Sequence, residues 1–364
     1  MQFIIDIFVA GLMAYLAFTN FLATHVGSLL GADVPEPGVE IVPLEEEVAT
    51  EETAVTPIPS RFSFIPDVLR NSLSYQAATA ISSLDTPTPV DPLLALANIY
   101  CTFTTERTIR TTTGTGFFVA ETGVILTNAH VAQFMLLEET DALGDSECTV
   151  RVGSPAAPRY VAELLYIPPA WVNAHAALID ANAPSGTGER DYALLLVTKA
   201  LDGSPLPARF PALPLFTDKF VRDTIADPIV AAGYPAGIDG ADVATQLLAR
   251  QATTSVTELF TFGNNAVDIL ALRGSSIGHQ GASGGPVINA EGQVIGMITT
   301  RGDDSKDGEG SLRAISIDHI NRTLEEETGV PLVNHLSGDI DARATIFRDT
   351  MKPFLTNLLT KEIE

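Results

Sequence analysis

Positive charge is what this chain has least of. Its 364 residues carry 21 Lys and Arg against 45 Asp and Glu, a formal net charge of −24. A surface that acidic repels phosphate backbones, which argues against nucleic acid as a partner. Cysteine is almost missing too, with Cys101 and Cys148 alone. Two cysteines are too few for a disulfide scaffold and have no metal-ligand spacing. They leave two readings open: one bridge in an oxidising compartment, or two buried free thiols. No internal repeat stands out. Hydrophobic residues at 46% and charged residues at 18% are a globular composition rather than a disordered one.

The scarcity of Lys and Arg is complete over the first 60 residues, since the first basic residue is Arg61. From Ile7 to Leu30 there is no Asp or Glu either, in the run "IFVAGLMAYLAFTNFLATHVGSLL". About 20 apolar residues span a bilayer as a helix, so residues 1–31 are predicted to be a transmembrane anchor. A signal peptide would want a basic start, which is lacking. Without flanking positive charge, the orientation is poorly marked. Residues 32–60, "ADVPEPGVEIVPLEEEVATEETAVTPIPS", are acidic and proline-rich, and are predicted to form a flexible linker. An acidic tether of this kind suits an extracytoplasmic location. Residues 61–93 read as a helical or irregular connector, with Pro66 at a first helical position.

From about Leu94 the character changes. Short β-prone runs recur, among them "ANIYCTFTT", "GVILTNAHVA", "YALLLVT", "PIVAAGYP" and "AVDILALRG", separated by Gly, Pro, Asn and Asp. Many short strands at this spacing predict an antiparallel all-β barrel or sandwich over residues 94–330. "NAEGQ" between two apolar runs is a hairpin signal. Residues 331–364 read as a C-terminal helical extension.

The densest chemistry lies in "GHQGASGGPVIN", Gly278 to Asn289. Glycines make turns, so the bland reading is a turn. The chemical reading is that Ser283 is a nucleophile surrounded by N–H groups aimed at an oxyanion. A serine hydroxyl needs a neighbouring base, and the usual base is a histidine oriented by a buried carboxylate. Among six histidines, His130 is set apart. It ends "GVILTNAH", an apolar strand running into a small-residue corner, where a side chain would be presented beside a cleft. For the carboxylate, "ERDYALLLV" places Asp191 at the mouth of an apolar strand. The alternatives are His130 as a packed core residue, Asp191 as a strand-end cap with Asp180 doing the orienting, and His279 as a cleft residue. "RGDDSKDGEGS", Arg301 to Ser311, lacks the alternating ligands of a calcium loop and reads as a solvated hairpin near the cleft.

"TGFFVAETGVILTNAHV", "DYALLLV" and "GHQGASGGPVINAEGQVIGMITT" occur in that order. Together they resemble the trypsin-like (chymotrypsin-fold) serine peptidases, most closely the bacterial HtrA-like branch. The resemblance implies a double β-barrel and a serine endopeptidase acting on protein substrates through an acyl-enzyme, with no metal and no cofactor. Ser283 would be the nucleophile, His130 the general base and then acid, and Asp191 the residue orienting His130. The N–H groups of Gly281 and Ser283 would form the oxyanion hole. Ile277, Gly278, Thr299 and Thr300 would bind substrate, and a Cys101–Cys148 bridge would cross the side of the barrel that flanks the His130 loop. The branch also suggests a homo-oligomer and a role in extracytoplasmic quality control or processing.

Four departures qualify the resemblance. Ala282 stands where digestive members carry an Asp that pairs with a new N-terminus, so that route of activation is not expected. After Val330 the sequence given leaves 34 residues, too few for the PDZ domain of HtrA-like members. Ile277 replaces the acid that selects Lys or Arg, so small or medium apolar side chains are expected at the cleavage site. The stretch "IPPAWVNAHAALIDANAPSGTGER" lengthens the gap between His130 and Asp191 and is expected to be a helical surface insertion beside the cleft. The rival from another class is a catalytically silent, protease-shaped binding or sensor module at the membrane. A membrane scaffold acting through its helices would leave the Ser, His and Asp unexplained.

Overall fold

The computed structural model describes residues 42–43, 68–80, 87–104, 109–138, 140, 145–180, 188–219, 228–237, 242–263 and 266–363. The predicted anchor and most of the predicted linker and of its junction with the connector, Pro66 included, lie outside the described residues. Among the described residues no helix is long and apolar enough to cross a membrane.

Twelve strands close into two antiparallel barrels of six. The first barrel runs in the order β2 (Leu96–Thr104), β3 (Ile109–Phe118), β4 (Val124–Thr127), β7 (Ala193–Ala200), β6 (Ala157–Tyr166) and β5 (Asp145–Val152), and β5 pairs back to β2. The second runs β8 (Pro228–Gly233), β9 (Arg250–Thr261), β10 (Ile269–Leu272), β13 (Leu312–Ser316), β12 (Val294–Arg301) and β11 (Pro286–Ile288), and closes through β8–β9 and β11–β8 pairing. The β-prone runs of the sequence become these strands. Those with continuous apolar text, such as β4 and β10, are buried along their whole length, as strands covered on both faces must be. "NAEGQ" forms the β11–β12 hairpin, closed by Asn289 and Gln293.

Three features differ from the sequence reading. Val42 and Pro43, within the predicted flexible linker, form a two-residue strand β1 that pairs antiparallel with the end of β9. The pairing of β9 with β8 stops at Ser255, so the last residues of β9 keep one side open, and Val42 and Pro43 add there. The insertion between His130 and Asp191 is not an open surface feature. Its helix Pro169–His175 and following turn bury Trp171, Val172 and Ile179, and the last helix, Lys352–Ile363, packs over them. The C-terminal extension therefore covers the insertion: Ile340–Thr350 lies on β6, and Thr356 Oγ1 donates to the Leu136 carbonyl at 2.7 Å. Finally, the loop 301–311 carries a short helix, Asp304–Asp307, whose buried Asp307 binds Arg313 at 2.9 Å.

The helix Ile317–Thr328 follows β13 and is fastened to the second barrel by a buried carboxylate. Asp268 Oδ1 lies 2.8 Å from His319 Nδ1 and accepts from Arg322 at 2.5 Å. Burial alone would raise the Asp268 carboxyl, but hydrogen bonds from His319, the Phe262 N–H and Arg322 outweigh it and bring it down to about 2. A carboxylate depressed below its unfolded value stabilises the fold above the unfolded pKa, and that contribution is lost as pH falls towards the folded one. Asp268 is thus expected to contribute about 2 kcal/mol at neutral pH, lost between roughly pH 4 and 2. Urea unfolding of wild type and Asp268→Asn checks this: the gap between them should shrink as pH falls through that window. A gap independent of pH would count against it.

Candidate active site

Strand β4 delivers the chain to Asn128, which caps the short helix Ala129–Ala132 carrying His130 in its first turn. Strand β7 begins just after Asp191. The β4–β7 pairing, with Thr127 opposite Ala193, brings these two strand ends together. His130 Nδ1 lies 2.8 Å from Asp191 Oδ2, and the His130 backbone N–H donates to Asp191 Oδ1 at 2.9 Å. Asp191 is fully buried and His130 is 4% exposed. Burial would raise the Asp191 carboxyl, but the electrostatic pull of the adjacent His130 ring and hydrogen bonds from His130 and Thr299 prevail and hold it below its usual range. A carboxylate that stays ionised against Nδ1 fixes the proton on that nitrogen and leaves Nε2 free to accept.

Thr299 is read from sequence as a substrate-binding position, and the structure places its side chain against Asp191. Thr299 is fully buried, and its hydroxyl donates to Asp191 Oδ2 at 3.1 Å. Thr299 sits where the β12–β13 register shifts between Ile298 and Thr300, and the next residue, Thr300, is half-buried. Ile277 is also fully buried, inside the second barrel's core. Gly278 has room for no side chain, since a Cβ there would run into the Gly310 carbonyl.

Ser283 is half-buried, and its hydroxyl donates to the Thr299 carbonyl at 3.4 Å, a long bond. The loop around it is set by two peptide carbonyls. Gln280 C=O accepts from the Ala236 N–H at 2.6 Å, and Ala282 C=O accepts from the Gly285 N–H at 2.9 Å. In a planar trans peptide the N–H points opposite the C=O. The Gly281 and Ser283 N–H groups are therefore turned away from those anchors, and neither has an acceptor among the described residues. Gly281 adopts φ +85°, where a Cβ would lie 2.6 Å from the Tyr234 carbonyl. At Gly284, φ is +88° and a Cβ would collide with the Thr115 carbonyl. These are close approaches that only glycine permits.

Thr115 on β3 escaped the sequence reading. It is fully buried where the barrels meet. Its N–H donates to Ser283 C=O at 2.8 Å, its hydroxyl donates to Gly281 C=O at 2.6 Å, and that hydroxyl also accepts the Tyr234 N–H at 2.9 Å. One residue of the first barrel thus fixes the loop of the second. A cleft of about 250 Å³ opens beside the pair, lined by His130, Gln280, Gly281 and Ser283 together with the apolar Val131, Phe134 and Val243. Cys101 and Cys148, directly opposed on β2 and β5, are joined by a disulfide. His279 lies on the nucleophile loop, where its N–H donates to Ile277 C=O at 2.7 Å. Among the described residues no cluster of three His, Cys, Asp or Glu is placed to hold a metal ion.

A buried His–Asp pair, a serine on a glycine-rich loop and two closed barrels form one arrangement, and residues 114–297 match the model of the trypsin-like peptidase domain. The chain belongs to that family. Two curated relatives of the trypsin-like family are the proteins named serine protease Do-like HtrA from Lactococcus lactis subsp. lactis strain IL1403 and subsp. cremoris strain MG1363. Each is 29% identical over 116 residues, covering 32% of this chain and 27% of the relative. The matched stretch is thus about a quarter of those relatives' length. A solved structure, the serine endoprotease from Yersinia pestis, is 20% identical, covers 65% of this chain and 64% of its own, and superposes at a TM-score of 0.39.

Proposed function

We propose that the protein is a serine endopeptidase in which Ser283 is the nucleophile, His130 the base and then the acid, and Asp191 the group that orients His130. The observation that carries this reading is the direction of two peptide units. With Gln280 and Ala282 carbonyls tied back, the N–H groups of Gly281 and Ser283 are left for an oxyanion, and the cleft lies beside them. Ser283 attacks the substrate carbonyl as His130 Nε2 takes its proton. The tetrahedral oxyanion is held by the two N–H groups, His130 returns the proton to the leaving amine, and water hydrolyses the acyl-enzyme by the same route. The resting Ser283 hydroxyl is held only by a long bond to the Thr299 carbonyl, which it gives up when it turns its proton to His130 Nε2.

An apolar residue, Ile277, at the sequence position where trypsin-like members carry their Lys- or Arg-selecting acid supports small or medium apolar side chains on the acyl side. The disulfide supports an oxidising, extracytoplasmic compartment. Membrane attachment through residues 1–31, self-association, and a role in quality control or processing remain parts of the proposal that rest on the sequence and the resemblance.

The oxyanion reading is tested at Gly281. Alanine there is strained at φ +85° and presses on the Tyr234 carbonyl, so the loop must turn its N–H away. Gly281→Ala is expected to lower kcat on a peptide substrate about 100- to 1000-fold with little change in KM. A loss confined to KM would place the loop in ground-state binding instead.

A further inference from the structure

The residue before Asp191 is Arg190, a non-glycine residue in the left-handed region at φ +55°. Such a conformation is unfavourable for a side chain with a Cβ and persists only where its surroundings hold it. Tyr192 N–H then donates to Arg190 C=O at 2.9 Å, closing a three-residue turn with Asp191 at its centre. Both neighbours of Asp191 are gripped by one helix, Ile317–Thr328. Arg190 Nη1 donates to Glu327 Oε1 at 2.6 Å, and the Tyr192 hydroxyl accepts from Thr323 Oγ1 at 3.1 Å. Thr323 and Glu327 are four residues apart, on one face of that helix. Glu327 is 4% exposed, and its second carboxylate oxygen accepts from the buried Tyr166 hydroxyl. The other charged groups near this pair are Glu326 and Glu189, both flanking Arg190 at the surface. The same helix is fixed to the second barrel through His319, Arg322 and Asp268.

We propose that Glu327 is a positioning residue for catalysis: with Arg190 it forms a clamp by which a helix of the second barrel holds the strained turn that aims Asp191 at His130. This rests on the peptidase reading for its kinetic consequence but not for its structural one. Neither Glu327 nor Arg190 faces the cleft, so the clamp acts through Asp191 alone. Its loss lets the turn relax, and Asp191 moves off the His130 ring without altering where substrate binds.

The test uses the full chain and the variants Glu327→Gln, Arg190→Gly and the two combined, with kcat referred to the number of titrated active sites so that any unfolded fraction drops out. Glu327→Gln is expected to lower kcat about 10-fold or more, as small displacements of a catalytic group do, with KM unchanged. The acid limb of its pH profile should move down, because a misplaced Asp191 supports the His130 imidazolium less. Glycine adopts φ +55° without strain, so the double variant should recover most of the kcat lost by Glu327→Gln alone. A change in melting temperature with kcat and pH profile intact would reduce the clamp to a fold contact and overturn the proposal. The proton NMR signal of His130 Nδ1–H, followed in Ser283→Ala, separates the two readings. If wild type does not turn over substrate but Glu327→Gln still displaces that signal, the clamp stands and the peptidase reading falls. If the signal does not move, the clamp falls whatever the activity.

Discussion

Asp191→Asn is expected to lower kcat about 10⁴-fold, the scale set by losing the orienting carboxylate of such a triad. The cause is a proton, not a displaced side chain. Asparagine can still accept the His130 backbone N–H through its oxygen, as Asp191 Oδ1 does at 2.9 Å. Its amide nitrogen then faces His130 Nδ1, where Asp191 Oδ2 now stands at 2.8 Å. An N–H donor at that point forces Nδ1 to accept and puts the ring proton on Nε2, the atom that must receive the proton of Ser283. The fold should survive, because the Asn128 side chain binds the backbone carbonyl of residue 191, which the substitution leaves in place. Steady-state kinetics with thermal melts check this. A drop below tenfold would mean that Asp191 only packs against His130. Because Asp191 is held below its usual carboxylate range, its own titration should not appear in the acid limb of the wild-type profile.

The second large effect concerns stability. The Cys101–Cys148 disulfide ties β5 to β2, the pairing that closes the first barrel, and both cysteines are buried. The partners are 47 residues apart, and the segment between them contains His130. On the chain-entropy account a closed loop of that length is worth about 4 kcal/mol. Cys101→Ala with Cys148→Ala is therefore expected to lower the melting temperature by roughly 10 °C, and activity should fail on warming before the second barrel unfolds. Differential scanning calorimetry of the oxidised, reduced and double-alanine forms checks it. A reduced form that melts with the oxidised one would show that the seam needs no bond.

What the sequence made legible is what short-range chemistry dictates. Gly281 and Gly284 stand out in the text because positive φ and carbonyl contacts exclude every other residue there. His130 could be singled out because the apolar run Val124–Leu126 of β4 leads through Thr127 and Asn128 straight into the helix that bears it. The strands were legible for the same reason, as apolar runs cut by turn residues. Long-range partners were not. "DHINRTLEEETG" reads as an amphipathic helix, and nothing local says that Thr323 and Glu327 grip the neighbours of Asp191 more than 130 residues away. Thr115 is one threonine among several, and its three hydrogen bonds to Ser283, Gly281 and Tyr234 exist only once two barrels meet. The insertion looked like a surface element because the helix that covers it lies near the chain's other end. Thr299 looked like a pocket wall because the register that turns it towards Asp191 is a property of paired strands, not of its own strand alone.

The central claim is that Ser283 is an activated nucleophile in a site already assembled. Labelling of the purified full chain with a fluorophosphonate probe tests it most directly, alongside Ser283→Ala and His130→Ala. The account predicts labelling of wild type that disappears in Ser283→Ala and nearly disappears in His130→Ala. No labelling of folded wild type would contradict an assembled site and favour a silent binding module. Labelling that survives Ser283→Ala would place the nucleophile elsewhere.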